Sequence, residues 1–322
     1  MIHIDFDPDS LEGDLRHWWD DWQDRAEKAR DELIVKWETN GTITAADFDN
    51  NLWSELKLFL LKHVFHKKCA YCETHIGEAR QPGHADHYRP KGRVNYRETP
   101  DRECKKYIRA QTEDYNFTPP TVIDHPGYFW LAYNWKNLLP TCHECNSGKG
   151  KREQFPIQAI MHQLNSQLKA SEVAQLKEEA IPSKKTNDLY YLEPEDLDEL
   201  EGPKLLHPYF TRAPSDYIEF DQAGSIRPRA SEGEMAEMAK YSISAYNLWD
   251  ENLDGARQKA QEEARTLFET AQTFFRKFRN KLPPADRKEA IKEETIKKII
   301  NGETPHSAAQ LWYLKFMHLV TD

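Results

Sequence analysis

HKKCAYCE (His66–Glu73), HADHYRPKGR (His84–Arg93) and NLLPTCHECNSGKGK (Asn137–Lys151) decide the reading of this 322-residue chain. The first and last each carry a Cys-x-x-Cys, Cys69 with Cys72 and Cys142 with Cys145. Two such pairs supply four thiolates, the ligand count of a closed tetrahedral Zn²⁺ site that leaves no position open for water. A structural zinc here would tie together two points far apart in the chain and clamp the segment between them. In a reducing compartment, paired spacings indicate metal rather than disulfides. The fifth cysteine, Cys104, reads as an ordinary loop thiol.

The rest of the composition sets bounds. At 39% hydrophobic and 11% aromatic, the chain is globular rather than disordered. No apolar run reaches the roughly 20 residues that cross a bilayer, and MIHIDFDPDS lacks the layout of a signal peptide. A cytoplasmic protein without membrane contact is expected. The net charge of −10 is unevenly spread. Residues 1–60 carry 15 acidic against 6 basic groups, residues 62–153 carry 16 basic against 11 acidic, and the remainder nets −6. The only basic block therefore coincides with the cysteine-bearing stretch, where a site for phosphate backbones would need it.

Three regions follow: an N-terminal helical region (1–66), a core with the cysteine knuckles (67–157), and a C-terminal hairpin and helical region (158–322). The spacing of Trp18, Trp22, Ala26, Leu33 and Trp37 predicts a helix over 10–38, with Ser10 as N-cap and a tryptophan stripe that serves as core or helix seam. Thr44 is read as the cap of a second helix to about His66. ADHYRPK reads as a strand ending at Pro90, and the aromatic run YFWLAYNW (Tyr128–Trp135) as a strand leading into Asn137. Between them, Tyr96–Pro126 has no period and reads as a long loop or insertion of the kind that carries binding function. Beyond the core, NSQLKASEVAQLKEEA reads as helix and PSKKTND as linker. LLHPYF and DYIEFDQAGSIRP form a candidate hairpin turning at Gln222-Ala223-Gly224. A helical tail from about Glu232 is broken at KLPPAD and NGETP, with Phe268, Ala271, Phe275 and Phe278 as an apolar stripe.

The polar residues within the clamp suggest hydrolysis of a phosphodiester. That chemistry needs a base to take a proton from water and a hard cation to stabilise charge on phosphate oxygens. His87 suits the first role, with an ordinary pKa of about 6.5. Asp86 and Asn146 offer oxygen ligands, which suit Mg²⁺ or Mn²⁺. Neighbours on a regular strand point to opposite faces, so Asp86 and His87 reach one centre only with a local departure from it. Lys91, Arg93, Lys149, Lys151 and Arg152 are read as a group of phosphate contacts, with a solvated charged face as the alternative. Arg89, before Pro90, is read as structural.

Asp86-His87, then Asn137, then Cys-x-x-Cys-Asn with Lys149 three residues on resembles the HNH endonucleases of the ββα-metal fold, over about residues 55–157. CAYCE, DHYRPK, YFWLAYNWKNLLPTCHECN and KREQFP resemble more closely the PtuB-type HNH subfamily, the nuclease subunits of Septu and related retron anti-phage systems. The resemblance implies a mostly helical α+β fold with a ββα-metal core. It implies His87 as general base, Asp86 and Asn146 as catalytic metal ligands, and Asn137 as the residue orienting the His87 loop. It also implies an ATPase partner of the PtuA type and a nucleic-acid substrate, DNA foremost with tRNA as the second choice. The last motif position is Asn146 where many HNH enzymes carry His.

Other readings stay open at this point. A free-standing restriction or homing-type nuclease shares the same motif but needs a base-reading element, and none is evident. A zinc-ribbon binding module without catalysis would leave Asp86 and Asn146 without a divalent metal. A zinc nucleobase deaminase has His-x-Glu and Pro-Cys-x-x-Cys. Here His84-Ala85-Asp86 has the wrong acid, Pro140 falls one residue early, and Cys69 and Cys72 would have no role.

Overall fold

The computed structural model describes residues 1–77, 82–94, 125–147, 150–158, 189–278 and 297–317. Most of the 96–126 insertion, the segments NSQLKASEVAQLKEEA and PSKKTND, the KLPPAD break, Cys104 and Lys149 lie outside the described residues. What is described is mostly helical α+β with small antiparallel sheets. No helix of the described residues is long and apolar enough to cross a membrane.

Helix α1 spans Gly13–Asn40 and ends on Gly41, whose positive φ of 66° closes the last turn. Its N-cap is Glu12; Ser10 instead closes a short 3-10 turn, Pro8–Ser10. The buried stripe is Trp19, Trp22, Ala26, Leu33 and Ile34, while Trp18 is half-buried and stacks on Phe59 at 4.4 Å. Burying rings as large as Trp19 and Trp22 contributes about 2–3 kcal/mol each, so this stripe is core. Thr44 caps a 3-10 turn, Ala45–Asp47, through a capping box, and Asp49 caps helix α2, Asn50–His63.

Helix α2 packs on a two-stranded sheet, β1 (His84–His87) against β2 (Leu138–Thr141). The register pairs His84 with Thr141, Ala85 with Pro140, Asp86 with Leu139 and His87 with Leu138. Pro140 is tolerated because β2 is an edge strand and the missing N–H lies on the side away from β1, the side on which the Pro140 carbonyl accepts from Ala70 N at 2.8 Å and joins the first knuckle to the sheet. The run Tyr128–Trp135 is not a strand. It forms 3-10 turns at Phe129–Leu131 and Trp135–Asn137, the second started by Asn134 Oδ1 accepting from Lys136 N. Residues 128–133 are all buried, and a run hidden on every side has no solvent face to alternate against. Helix α3, His143–Asn146, follows β2 directly.

Past the core, α4 (Pro194–Glu201) locks Arg89 in place. That guanidinium is wholly buried, pairs with Glu201 and with Asp198 at 2.6 Å, and lies over the Tyr128 and Phe155 rings. Its role is structural. The hairpin is built from DYIEFDQAGSIRP alone, β3 (Ile218–Phe220) against β4 (Ile226–Pro228), turning over Asp221–Ser225, while LLHPYF is non-repetitive. Helices α5 (Glu234–Ala245), α6 (Glu251–Phe278), α7 (Lys297–Ile300) and α8 (Ser307–Phe316) complete the described chain, with NGETP breaking α7 from α8. Phe268 packs with Ala264, Ile299 and Leu314; the side chains of Ala271, Phe275 and Phe278 lie outside the described residues.

Candidate functional site

The two knuckles meet. The sulfurs of Cys69, Cys72, Cys142 and Cys145 all lie within 4.8 Å of one another, with Cys72 Sγ to Cys142 Sγ at 3.7 Å. A tetrahedron of about 2.3 Å metal–sulfur bonds has edges of about 3.8 Å, so the donor set fits a metal such as zinc. Local turns shape each half. Residues His66, Lys67 and Glu73 take positive φ, and Cys69 N donates to Thr74 O at 2.9 Å. In the second half Asn146 N donates to Cys142 O, and Lys151 N folds back to Cys145 O at 2.8 Å. Gly150 permits that return, because a Cβ there would stand 2.2 Å from Cys145 O. Burial pushes the Cys69 thiol up while neighbouring sulfur donors, Cys142 first, pull Cys72 down. A cation bound by this donor set would hold all four as thiolates.

Beside this cluster opens a cleft of about 460 Å³. Its lining includes Asp86, His87 and Asn146, together with Lys91, Arg93 and Arg152. Residues read from distant motifs thus share one cavity. The strand problem is met because β1 ends at His87, and the two neighbours take different supports. Asp86 Oδ2 accepts from Tyr71 Oη at 2.6 Å and lies 3.4 Å from Lys151 Nζ. His87 Nε2 lies 3.1 Å from Ala132 O, and its ring meets Trp53 edge-on at 4.8 Å. A carbonyl only accepts, so Nε2 carries the proton and Nδ1 keeps the lone pair. Burial holds the His87 imidazole well below the usual histidine range, hence neutral, and pushes the Asp86 carboxyl up against the pull of Lys151.

Asn137 is buried behind the cleft rather than in it. Its Oδ1 accepts from Arg89 N at 2.7 Å, and its Nδ2 donates to Arg89 O and Leu131 O, both at 3.1 Å. Its carbonyl accepts from Tyr88 N at 2.9 Å. The turn after His87 is therefore pinned on both sides.

Among the expected phosphate contacts, Arg93 is exposed with Glu153 at 3.6 Å, and Arg152 is exposed. Lys91 Nζ sits 4.3 Å from the Trp53 ring centroid and 5.6 Å from that of Phe48, and burial lowers its pKa. Lys151 departs from expectation. It is 0% exposed, and its ammonium donates to His87 O at 2.6 Å, so it braces the site from inside instead of facing solvent.

Sequence reasoning missed the opposite wall. Ile43, Thr44, Ala45, Phe48, Asn50 and Trp53 line the cleft from the N-terminal region. Trp53 Nε1 donates to Ala132 O at 2.7 Å, the same carbonyl that orients His87. Gly127 seats the facing loop, since a Cβ there would meet the Lys91–Gly92 backbone at about 2.5 Å. No local pattern marks such residues; only the long-range packing of α2 on β1 assembles them.

The chain is similar over part of its length to two curated relatives. It is 34% identical over 99 residues to Septu protein PtuB of Bacillus mycoides (strain KBAB4), covering 31% of this chain and 26% of the relative. It is 26% identical over 163 residues to Septu protein PtuB of Bacillus thuringiensis, covering 49% and 48%. The matches thus span about a quarter and about half of those relatives' lengths. No family model matches the chain, and no solved structure matches it.

Proposed function

We propose that this chain is a metal-dependent HNH-type endonuclease that hydrolyses phosphodiester bonds of nucleic acid, DNA foremost, with residues 67–157 as the nuclease core. The observation that carries the reading is the shared cleft, where Asp86, His87 and Asn146 stand with Lys91, Arg93 and Arg152. Asp86 Oδ1 meets no donor among the described residues, and the Asn146 side chain likewise meets none. Two oxygen donors at one cleft suit a divalent ion such as Mg²⁺ or Mn²⁺. Such an ion, when bound, stabilises negative charge on the phosphate and on the leaving oxygen. His87 takes a proton from the attacking water at Nδ1 and needs no deprotonation of its own near neutral pH. Lys91, Arg93 and Arg152 hold the flanking phosphates.

The partial similarity to Septu proteins named PtuB supports a role in anti-phage defence. With it goes an ATPase partner of the PtuA type. A basic block of residues 62–153 set between acidic flanks gives little spare positive surface for gripping nucleic acid alone, which favours a weak nuclease in isolation. The test is cleavage of duplex DNA, single-stranded DNA and tRNA, with Mg²⁺ or Mn²⁺, by the chain purified alone and with its genomic neighbour. Divalent-dependent cleavage that rises with the partner supports the reading. No cleavage of any substrate under either condition refutes it.

A further inference from the structure

We propose that Tyr71 and Lys151 are positioning residues for the divalent cation, so that the cysteine knuckles themselves fix the geometry of Asp86. This inference rests on the nuclease reading above and names how that site is held. Tyr71 lies between two of the clustered cysteines, Cys69 and Cys72, and its hydroxyl donates to Asp86 Oδ2 at 2.6 Å. Lys151 follows the second pair, tied by its own N–H to Cys145 O, and its ammonium stands 3.4 Å from the same Oδ2. Both side chains are wholly buried. Each knuckle therefore contributes one partner, a hydrogen bond from Tyr71 and an ion pair from Lys151, and both fall on one oxygen.

The consequence is a carboxylate with its orientation decided. The terminal torsion of an aspartate is broad and roughly two-fold, so an unrestrained carboxylate presents either oxygen. With Oδ2 engaged twice, Oδ1 is the ligand atom left to the cleft, as a single-oxygen donor. The same Lys151 ammonium donates to His87 O at 2.6 Å, so one buried cation fixes the ligand carboxylate and the backbone of the base together. Tyr71 is itself immobilised, its ring stacked on Tyr246 at 3.7 Å and 11°. Partners that orient a ligating carboxylate typically matter by 10–100-fold in metal affinity. Loss of metal from the four cysteines would release both donors at once.

The experiment is a Mn²⁺ titration followed by electron paramagnetic resonance, with zinc content measured on the same samples. Tyr71→Phe keeps the ring stack and removes only the hydroxyl. It should weaken Mn²⁺ binding about 10–100-fold at unchanged zinc content, and its cleavage should recover at high Mn²⁺. Lys151→Met should weaken Mn²⁺ binding in the same direction. Tyr209→Phe removes a buried hydroxyl that makes no hydrogen bond among the described residues, and should leave Mn²⁺ affinity unchanged. Wild-type Mn²⁺ affinity in Tyr71→Phe, in a protein whose wild type binds Mn²⁺ and cleaves, overturns the coupling while sparing the nuclease reading. A wild type that binds no Mn²⁺ overturns both.

Discussion

The side chain of Asn137 clasps Arg89 from both directions, accepting from its N–H at 2.7 Å and donating to its carbonyl at 3.1 Å. The clasp fixes the turn two residues past His87. Asn137→Ala leaves the buried Arg89 N–H and carbonyl unpaired, while Leu131 O keeps its bond from Asn134 N, at a cost of about 1–3 kcal/mol for the stranded groups. We expect a lowered unfolding midpoint in urea and a loss of cleavage larger than the loss of stability explains, with zinc content unchanged. Cleavage at the wild-type rate in folded Asn137→Ala would show that the turn needs no such clasp.

The four cysteines should hold one zinc per chain. Cys69→Ser or Cys142→Ser should unfold the core and not merely slow a reaction, because the metal joins two distant segments and metal binding is folding free energy in such sites. Elemental analysis and circular dichroism of wild type and variants check this. Folded, zinc-free wild-type protein would contradict it.

The pH dependence of cleavage should be shifted to the acid side. A neutral His87 imidazole is competent wherever the pH exceeds its depressed pKa, so the acid limb should lie well below the 6.5 of an ordinary histidine. The check is kcat/KM against pH at saturating metal. An acid limb at or above pH 6.5 would assign it to another group.

His207 makes a separate prediction about stability. Burial lowers its pKa to about 3, whereas in the unfolded chain it takes up a proton near 6.5. The unfolded state therefore binds more protons as pH falls between those values. Its contribution is whole above pH 6.5 and lost as pH falls to 3 and below, by at most about 5 kcal/mol. His207→Asn should flatten the fall in stability between pH 7 and pH 4.5, read from urea midpoints.

Lys91 rests on Trp53 and Phe48 with its ammonium over both rings. As a phosphate contact, its removal in Lys91→Ala should weaken duplex binding and lower the slope of log K against log salt by about 1. Fluorescence anisotropy at several salt concentrations measures both.

What the sequence made legible was the short-range chemistry. Cys-x-x-Cys spacing requires no knowledge of the fold, and the strand at Asp86-His87, the hairpin at Ile218–Pro228 and the helix of the Trp-rich stripe each announce themselves by local pattern. The aromatic run Tyr128–Trp135 misled because aromatic strand propensity describes fit to a half-buried pleat, and this run is buried all round. Lys151 misled because a lysine in a basic cluster reads as solvated, while here Asp86 and the His87 carbonyl give it buried partners. The Phe48–Trp53 wall was silent, since its meaning lies in a contact with residues far along the chain.

The most direct test replaces the base. Purified with its genomic neighbour and supplied with Mg²⁺ or Mn²⁺, the wild-type chain should cleave nucleic acid. His87→Ala should bind the same substrate and retain its zinc, yet cleave at least about 100-fold more slowly, the scale of a lost general base. Cleavage by His87→Ala at the wild-type rate would contradict the assignment of this cleft as the nuclease site.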